Sequence, residues 1–352
     1  MPTQTLTFDV DELSNAVMIA TDDKRDMLAR KLPLLEAYEK VHGKGGKTMD
    51  GGEKWLQPVQ IAEHSVVTNM PTGFEEINLD VISTDRSFVF SPATCTAPII
   101  ISQREKNIYH GKAALFDRAA DLGQNVLNAT MRGWHKNSLT GGVAGFEGWG
   151  TLNGIDETTG YLEQDAPAAQ GNTVGGLSKA SFSGVPGMTN WVYNAQGAVG
   201  QNGRAGILSV LNNIDEFLYE DNGCVVLASQ AGLSNLQRVM QPYMRYTNAG
   251  ADAKVDLAGP GVMLAGKPVR QTSHMPTGGT VTTASPLSIL ILDLSCIYPT
   301  FLKADTDGMF GMTDFIQHSG SYRTFVSYVE CNGQWWAKSF HSSAIIYNAE
   351  SF

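Results

Sequence analysis

Trp55-Leu56-Gln57-Pro58-Val59, then Ser87-Phe88-Val89-Phe90, then Ile99-Ile100-Ile101: these three runs lie within Gly46 to Ile101, and the reading of that stretch decides the architecture. Each run is rich in aromatic and aliphatic residues and reads as a strand. Between the first two, Asn69-Met70-Pro71-Thr72-Gly73-Phe74 reads as a turn-rich tip. About fifty residues without a helical pattern is long for a compact domain, where most connections are far shorter. An extended arm with apolar groups and no core of its own needs cover, and a neighbouring chain is the expected cover. The stretch points to an assembly protein rather than a solitary enzyme.

The rest of the composition agrees with that direction. A chain of 352 residues has ample material for one large or two ordinary domains. Apolar residues make up 42% and charged residues only 17%, so the chain is globular and lightly charged, as suits a surface used largely in contacts with copies of itself. The 37 glycines suggest many turns without a collagen-like period, and a merely glycine-rich β protein stays open on composition alone. A formal net charge of −10 argues against avid nucleic-acid binding, which needs clustered Lys and Arg. Lys40, Lys44 and Lys47 are the nearest thing to a basic run, and glycines separate them.

The four cysteines, Cys95, Cys224, Cys296 and Cys331, lie far apart with no C-x-x-C pair, so neither a zinc site nor a disulfide framework is expected. The N-terminus has no basic n-region and no apolar h-region. The longest apolar run, Leu287 to Leu292, is far short of a membrane span, so a soluble cytoplasmic product is the expectation.

Residues 9 to 41 look helical in pieces, with breaks at Asp22-Asp23 and Pro33, and Lys44-Gly45-Gly46-Lys47 forms a joint before the arm. Residues 104 to 136 carry the strongest helix signal. Ser102 and Glu105 form a capping-box pattern, and Ile108, Leu115, Ala119, Leu122, Val126 and Trp134 make one apolar stripe. At 1.5 Å per residue that helix reaches about 50 Å. Residues 203 to 240 read as helix, strand and helix, with the strand at Cys224 to Ala228 and Ser229 as the second helix's cap. Val262 to Arg270 reads as a hairpin, and Ser288 to Leu292 as a buried strand. Asn332-Gly333, between Tyr322–Cys331 and Gln334–Phe340, predicts a tight hairpin turn.

Motifs that would carry chemistry fail on inspection. Gly43 to Thr48 resembles the end of a phosphate-binding loop, but its first glycine position is Val41, and an extended arm follows where a helix should. Asp305-Thr306-Asp307-Gly308 lacks the later ligands of a calcium loop and reads as a turn. No G-x-S-x-G occurs; Gly175-Gly176-Leu177-Ser178 reads as a turn into a strand. His110 and His274 stand alone, and Asp117 with Asp121 read as the solvent side of a helix. No catalytic constellation, metal set or cofactor site is expected.

In order along the chain, these elements resemble the major capsid proteins of tailed bacteriophages, the Hong Kong 97-like fold family. Trp55–Val59 and the arm to Phe90 are similar to the family's extended E-loop. Ile101 to Lys112 looks like the entry to its long spine helix, and Thr173–Leu177 with Asn190-Trp191 resembles the passage into its axial domain. Val225–Arg245, Val262–Pro276 and Leu292–Tyr347 look like the strand–helix unit, the following hairpin and the return through the peripheral domain.

The resemblance implies an α+β fold. Its parts would be an N-terminal arm (1–45), an E-loop (46–101), a spine helix of the peripheral domain (102–150), a mainly axial domain (151–292) and returning strands (293–352). It implies a non-enzymatic shell protein, without cofactor or metal, assembled in the host cytoplasm into the virion capsid. Copies of the chain would form the hexamers and pentamers that enclose double-stranded DNA without reading its sequence. Trp55, Pro58, Met70, Phe74, Phe88 and Phe90 are the expected subunit-interface residues of the E-loop. Further implied partners are a portal, room for a cement protein, and a separate scaffolding protein, because only about forty-five residues precede the arm, too few for a fused scaffolding domain. The competing readings are an encapsulin-like compartment shell, a phage tail or other structural β protein, and a hydrolase with an unrecognised site.

Overall fold

The computed structural model describes residues 32–43, 46–62, 83–108, 112–140, 145–154, 173–182, 184–194, 223–240, 263–264, 267–275, 279–280, 283–284, 287–303, 309–317 and 324–347. Met70, Phe74, His110, the Asp305–Gly308 turn and the expected helix before Cys224 lie outside them. Among the described residues helix α1 (Pro33–His42) comes first, with its proline in the first turn, where the missing amide hydrogen is no loss. Strands β1 (Lys47–Met49), β2 (Trp55–Gln60), β3 (Asp85–Phe90) and β4 (Ala93–Ser102) precede helices α2 (Gln103–Ile108), α3 (Lys112–Thr140) and α4 (Trp149–Leu152). Next are β5 (Thr173–Val174), β6 (Leu177–Ser178), β7 (Trp191–Asn194), β8 (Cys224–Ala228) and helix α5 (Gln230–Met240). Short strands β9 (Met263–Leu264), β10 (Lys267–Gln271), β11 (Gly279–Thr280) and β12 (Thr283–Ala284) follow. The longer β13 (Leu287–Asp293) and β14 (Ile297–Leu302), then β15 (Gly311–Met312), β16 (Ile316–Gln317), β17 (Thr324–Ala337) and β18 (Ala344–Tyr347), complete the chain.

Two compact units result, and neither is one continuous segment. The first draws on residues up to 51, 92–138 and 299–334; the second on 52–91, 139–298 and 335–352. Residues 299–334 belong to the first unit and residues 335–352 to the second.

The first unit is a sheet with a long helix on one face. Its strand path is β1-β14-β17-β15, and β4 and β16 also pair with β17. At the end of β4 the expected capping box is present: the Ser102 amide donates to Glu105 Oε2 at 3.1 Å and the Glu105 amide to Ser102 Oγ at 3.2 Å. The predicted helix is described as α2 and α3, on either side of residues 109–111, which lie outside the described residues, and α3 runs to Thr140. Ala119 of α3 is fully buried against Ile99, Ile101, Phe315 and Val329, with Leu122 and Val126 packed at the margin. Further along α3, Trp134 packs on Phe301 and, edge to face, on Phe310. Tyr38 of α1 anchors the start of the unit: its hydroxyl donates to the Pro299 carbonyl at 2.7 Å and accepts from the Lys47 amide at 2.8 Å.

One expectation is overturned here. Asn332-Gly333 is no turn; both residues lie inside β17, which runs unbroken for 14 residues with Asn332 opposite Thr94 and Gly333 opposite Ala93. Gly333 is required for a different reason, because Thr300 and Phe301 press so closely on it that no side chain fits.

The second unit holds a six-stranded mixed sheet in the order β7-β18-β13-β8-β10-β9. Its central strand β13 is antiparallel to β8 and to β18, while β10 is parallel to β8. Ile289 to Leu292 are all fully buried, which explains their unbroken apolar run: a central strand covered on both faces has no polar side to alternate with. Helix α5 packs on β8, β10 and β13 and is capped as expected, with the Gly232 amide donating to Ser229 Oγ at 2.9 Å. The β9–β10 hairpin also matches its sequence signal.

Candidate assembly surface

The alternation of β2 and β3 sorts the arm's residues onto two faces. The strands pair antiparallel, with Trp55 opposite Phe90, Leu56 opposite Val89, Gln57 opposite Phe88 and Pro58 opposite Ser87. Because side chains alternate, Trp55, Gln57, Phe88 and Phe90 share one face and Leu56, Pro58, Ser87 and Val89 the other. Among the described residues no third strand pairs with β2, so the proline, which has no amide hydrogen to donate, is tolerated there.

The aromatic face closes on its own chain. Trp336 lies 6.0 Å from Trp55 and 5.8 Å from Phe90, centroid to centroid, and its Nε1 donates to Gln57 Oε1 at 2.5 Å. Phe88 meets Phe340 edge to face at 6.0 Å. Beneath Phe340 lies a fully buried lysine, Lys179, whose Nζ is 4.0 Å from the ring centroid and donates to the Leu152 carbonyl at 2.5 Å. That carbonyl ends α4, where a cation is favoured by the helix's unsatisfied acceptors.

A glycine clip fixes the hairpin from the side. The turn between β5 and β6 has Gly175 at φ +51° and Gly176 at φ +82°, as a tight two-residue turn requires. The Val89 amide donates to the Gly175 carbonyl at 2.9 Å, and a β-carbon on Gly175 would fall 2.8 Å from Phe88 Cβ.

Trp55, Phe88 and Phe90 are thus buried within the chain, each at most 3% exposed. The expectation that these rings stand ready for a neighbour is revised accordingly, because the rings at the end of β17 and beyond already cover them. Sequence reading missed Trp336, Phe340 and Lys179 as their partners, since a predicted turn at Asn332-Gly333 sent that segment elsewhere. What remains outward is Leu56, 62% exposed, with Val89 directly opposite at 38%, and exposed Pro58 beside them. Only two other large apolar side chains are this exposed among the described residues, Ile100 and Ile316 in the first unit.

Among the described residues no three His, Cys, Asp or Glu side chains are grouped to hold a metal ion, and no helix is long and apolar enough to cross a membrane.

No family model and no curated protein matches the sequence. Solved structures do match. The cyanophage A-1(L) capsid subunit is 14% identical with a TM-score of 0.67, over 94% of this chain and 96% of that one. The capsid protein of an empty GTA particle is 12% identical with a TM-score of 0.57, over 97% and 99%; that of the native particle gives 13%, 0.54, and 93% and 94%. An α+β chain that follows such proteins almost end to end, with a hairpin, a long helix on a sheet and a second mixed sheet in sequence, has the Hong Kong 97-like fold of phage capsid proteins.

Proposed function

We propose that the chain is a major capsid protein, assembling with copies of itself as hexamers and pentamers into the icosahedral shell around the double-stranded DNA of a tailed phage. The observation that carries this reading is the extent of the likeness, which covers at least 93% of this chain in each of three capsid structures, two of them described with C5 symmetry. In this reading the β2–β3 hairpin is the base of the E-loop and α3 the spine helix. The first unit is then the peripheral domain and the second sheet the axial domain. The role is structural rather than enzymatic, and the place of action is the virion. A separate scaffolding protein and a portal complete assembly.

The outward pair Leu56 and Val89 supports the reading, with Pro58 beside it. A ring of identical subunits needs a heterologous contact, and an apolar cross-strand pair on the exposed face of this hairpin is a suitable half of one. The test is electron microscopy of the purified protein, alone and co-expressed with a candidate scaffolding protein. Rings or closed shells of regular size are expected. A strictly monomeric species at high concentration in both preparations would overturn the proposal.

A further inference from the structure

Two of the four cysteines, distant in the sequence, are brought together by the first unit's sheet. Cys95 of β4 and Cys331 of β17 are direct cross-strand partners, flanked in register by Ala97 with Val329 and Ala93 with Gly333. Residues directly opposite each other project to the same face, here the face on which Ile99, Ile101 and Val329 meet α3. Both are free thiols.

The backbone identifies the kind of pair. Tyr328 turns its amide and carbonyl towards Thr313: the Thr313 amide donates to its carbonyl at 2.9 Å, and its amide donates to Thr313 Oγ1 at 2.9 Å. Alternation then turns the backbone of Cys331 the other way, towards β4, so Cys95 and Cys331 form a hydrogen-bonded pair. Such pairs have Cα atoms about 5.5 Å apart, inside the roughly 4.4–6.8 Å range of disulfides. Their Cβ atoms, typically about 4.5–5.5 Å apart, need to approach by roughly 1 Å to reach disulfide spacing.

The environment divides the labour. Cys331 is buried while Cys95 is only partly buried. Burial raises the pKa of both thiols, and Cys95 beside it raises that of Cys331 further. Both are therefore protonated at neutral pH, and a reagent from solution meets Cys95 first.

We propose that Cys95 and Cys331 are a site of reversible oxidation, closed to an intrachain disulfide by small-molecule disulfides such as oxidised glutathione. Cys95 gives up its proton to solvent and attacks one sulfur of the reagent; a mixed disulfide forms, the reagent's own S–S bond breaks, and the leaving thiolate takes up a proton. Cys331 then gives up its proton and attacks Cys95 Sγ, the mixed disulfide breaks, and the second reagent thiol departs. Two protein thiols are oxidised and one reagent disulfide is reduced to two thiols. Cys224 and Cys296 take no part, so they serve as internal references.

The experiment incubates the full-length protein with oxidised glutathione, alkylates the remaining thiols and maps peptides by mass spectrometry. The expected result is a linked peptide joining Cys95 to Cys331, with Cys224 and Cys296 alkylated, and reversal by dithiothreitol. Cys331→Ser should instead accumulate a stable glutathione adduct on Cys95, and Cys95→Ser should give no linked peptide. Alkylation of all four cysteines after oxidation would overturn the proposal. So would a wild-type protein that carries the Cys95 adduct without the link.

Discussion

A β-carbon placed on Gly333 would stand 2.7 Å from the carbonyl oxygen of Thr300 and 2.8 Å from the ring of Phe301. Both obstacles lie in β14, so relief requires one strand to move from another. Gly333→Ala is expected to destabilise the protein by about 1–3 kcal/mol, as overpacking does. Gly133→Ala is the contrasting change: the glycine is mid-helix in α3 with nothing within 4 Å of the added carbon, so a gain of about 0.5–1 kcal/mol is expected. Denaturant melts of the two variants should shift in opposite directions.

Ile100 and Ile101 are neighbours on β4 with opposite fates: Ile101 is buried against α3 and Ile100 is 54% exposed. Ile101→Ala should cost about 2–4 kcal/mol, and Ile100→Ala less than about 0.5 kcal/mol. Equal losses in thermal unfolding would mean that the wrong face of β4 had been placed against α3.

On the hairpin, fold and assembly should separate by face. Leu56→Ser with Val89→Ser leaves the aromatic cluster intact and should preserve the melting transition while abolishing particles in sedimentation. Gln57→Leu should do the reverse of this. It strips the Trp336 indole of its acceptor, which costs about 1–3 kcal/mol for a buried donor left unpaired. If the double serine variant still assembles normally, the outward pair is not a subunit contact.

Alkaline pH should weaken the fold at Cys296. Burial, with the Asp293 carboxylate beside it, pushes this thiol from 9.0 up to about 11. The folded state holds the proton more tightly than the unfolded chain. Its stability contribution is therefore complete below pH 9 and is lost as pH rises towards 11. Melts across that window under reducing conditions should fall more steeply for wild type than for Cys296→Ala. Parallel curves would show that another group governs alkaline unfolding.

The features legible in the sequence are those decided by neighbours along the chain. Ser102 with Glu105, Ser229 before α5, and Gly175-Gly176 between two short strands each encode a local geometry, and each adopts it. Asn332-Gly333 carries an equally strong local signal that fails, because β4 supplies a partner for all of the strand up to Gly333 and β14 crowds the glycine. The strands of the arm were legible in the runs around Trp55, Phe88 and Phe90, but not their two faces or which face their own chain would cover. That depended on Trp336 and Phe340, remote residues at and just beyond the end of the unbroken β17. The Cys95–Cys331 register was hidden for the same reason: a cross-strand neighbour leaves no trace in local spacing.

The indoles of Trp55 and Trp336, 6.0 Å apart and tilted by 41°, make the seating of the hairpin optically visible. Two strong transition dipoles at that separation and angle couple, and the coupling decays steeply once they part. The far- and near-ultraviolet circular dichroism of the protein should therefore contain an exciton band that Trp55→Phe removes. Followed in a stopped-flow mixing experiment, that band would report whether the hairpin stays docked or lifts from its own chain as particles form, without an added label.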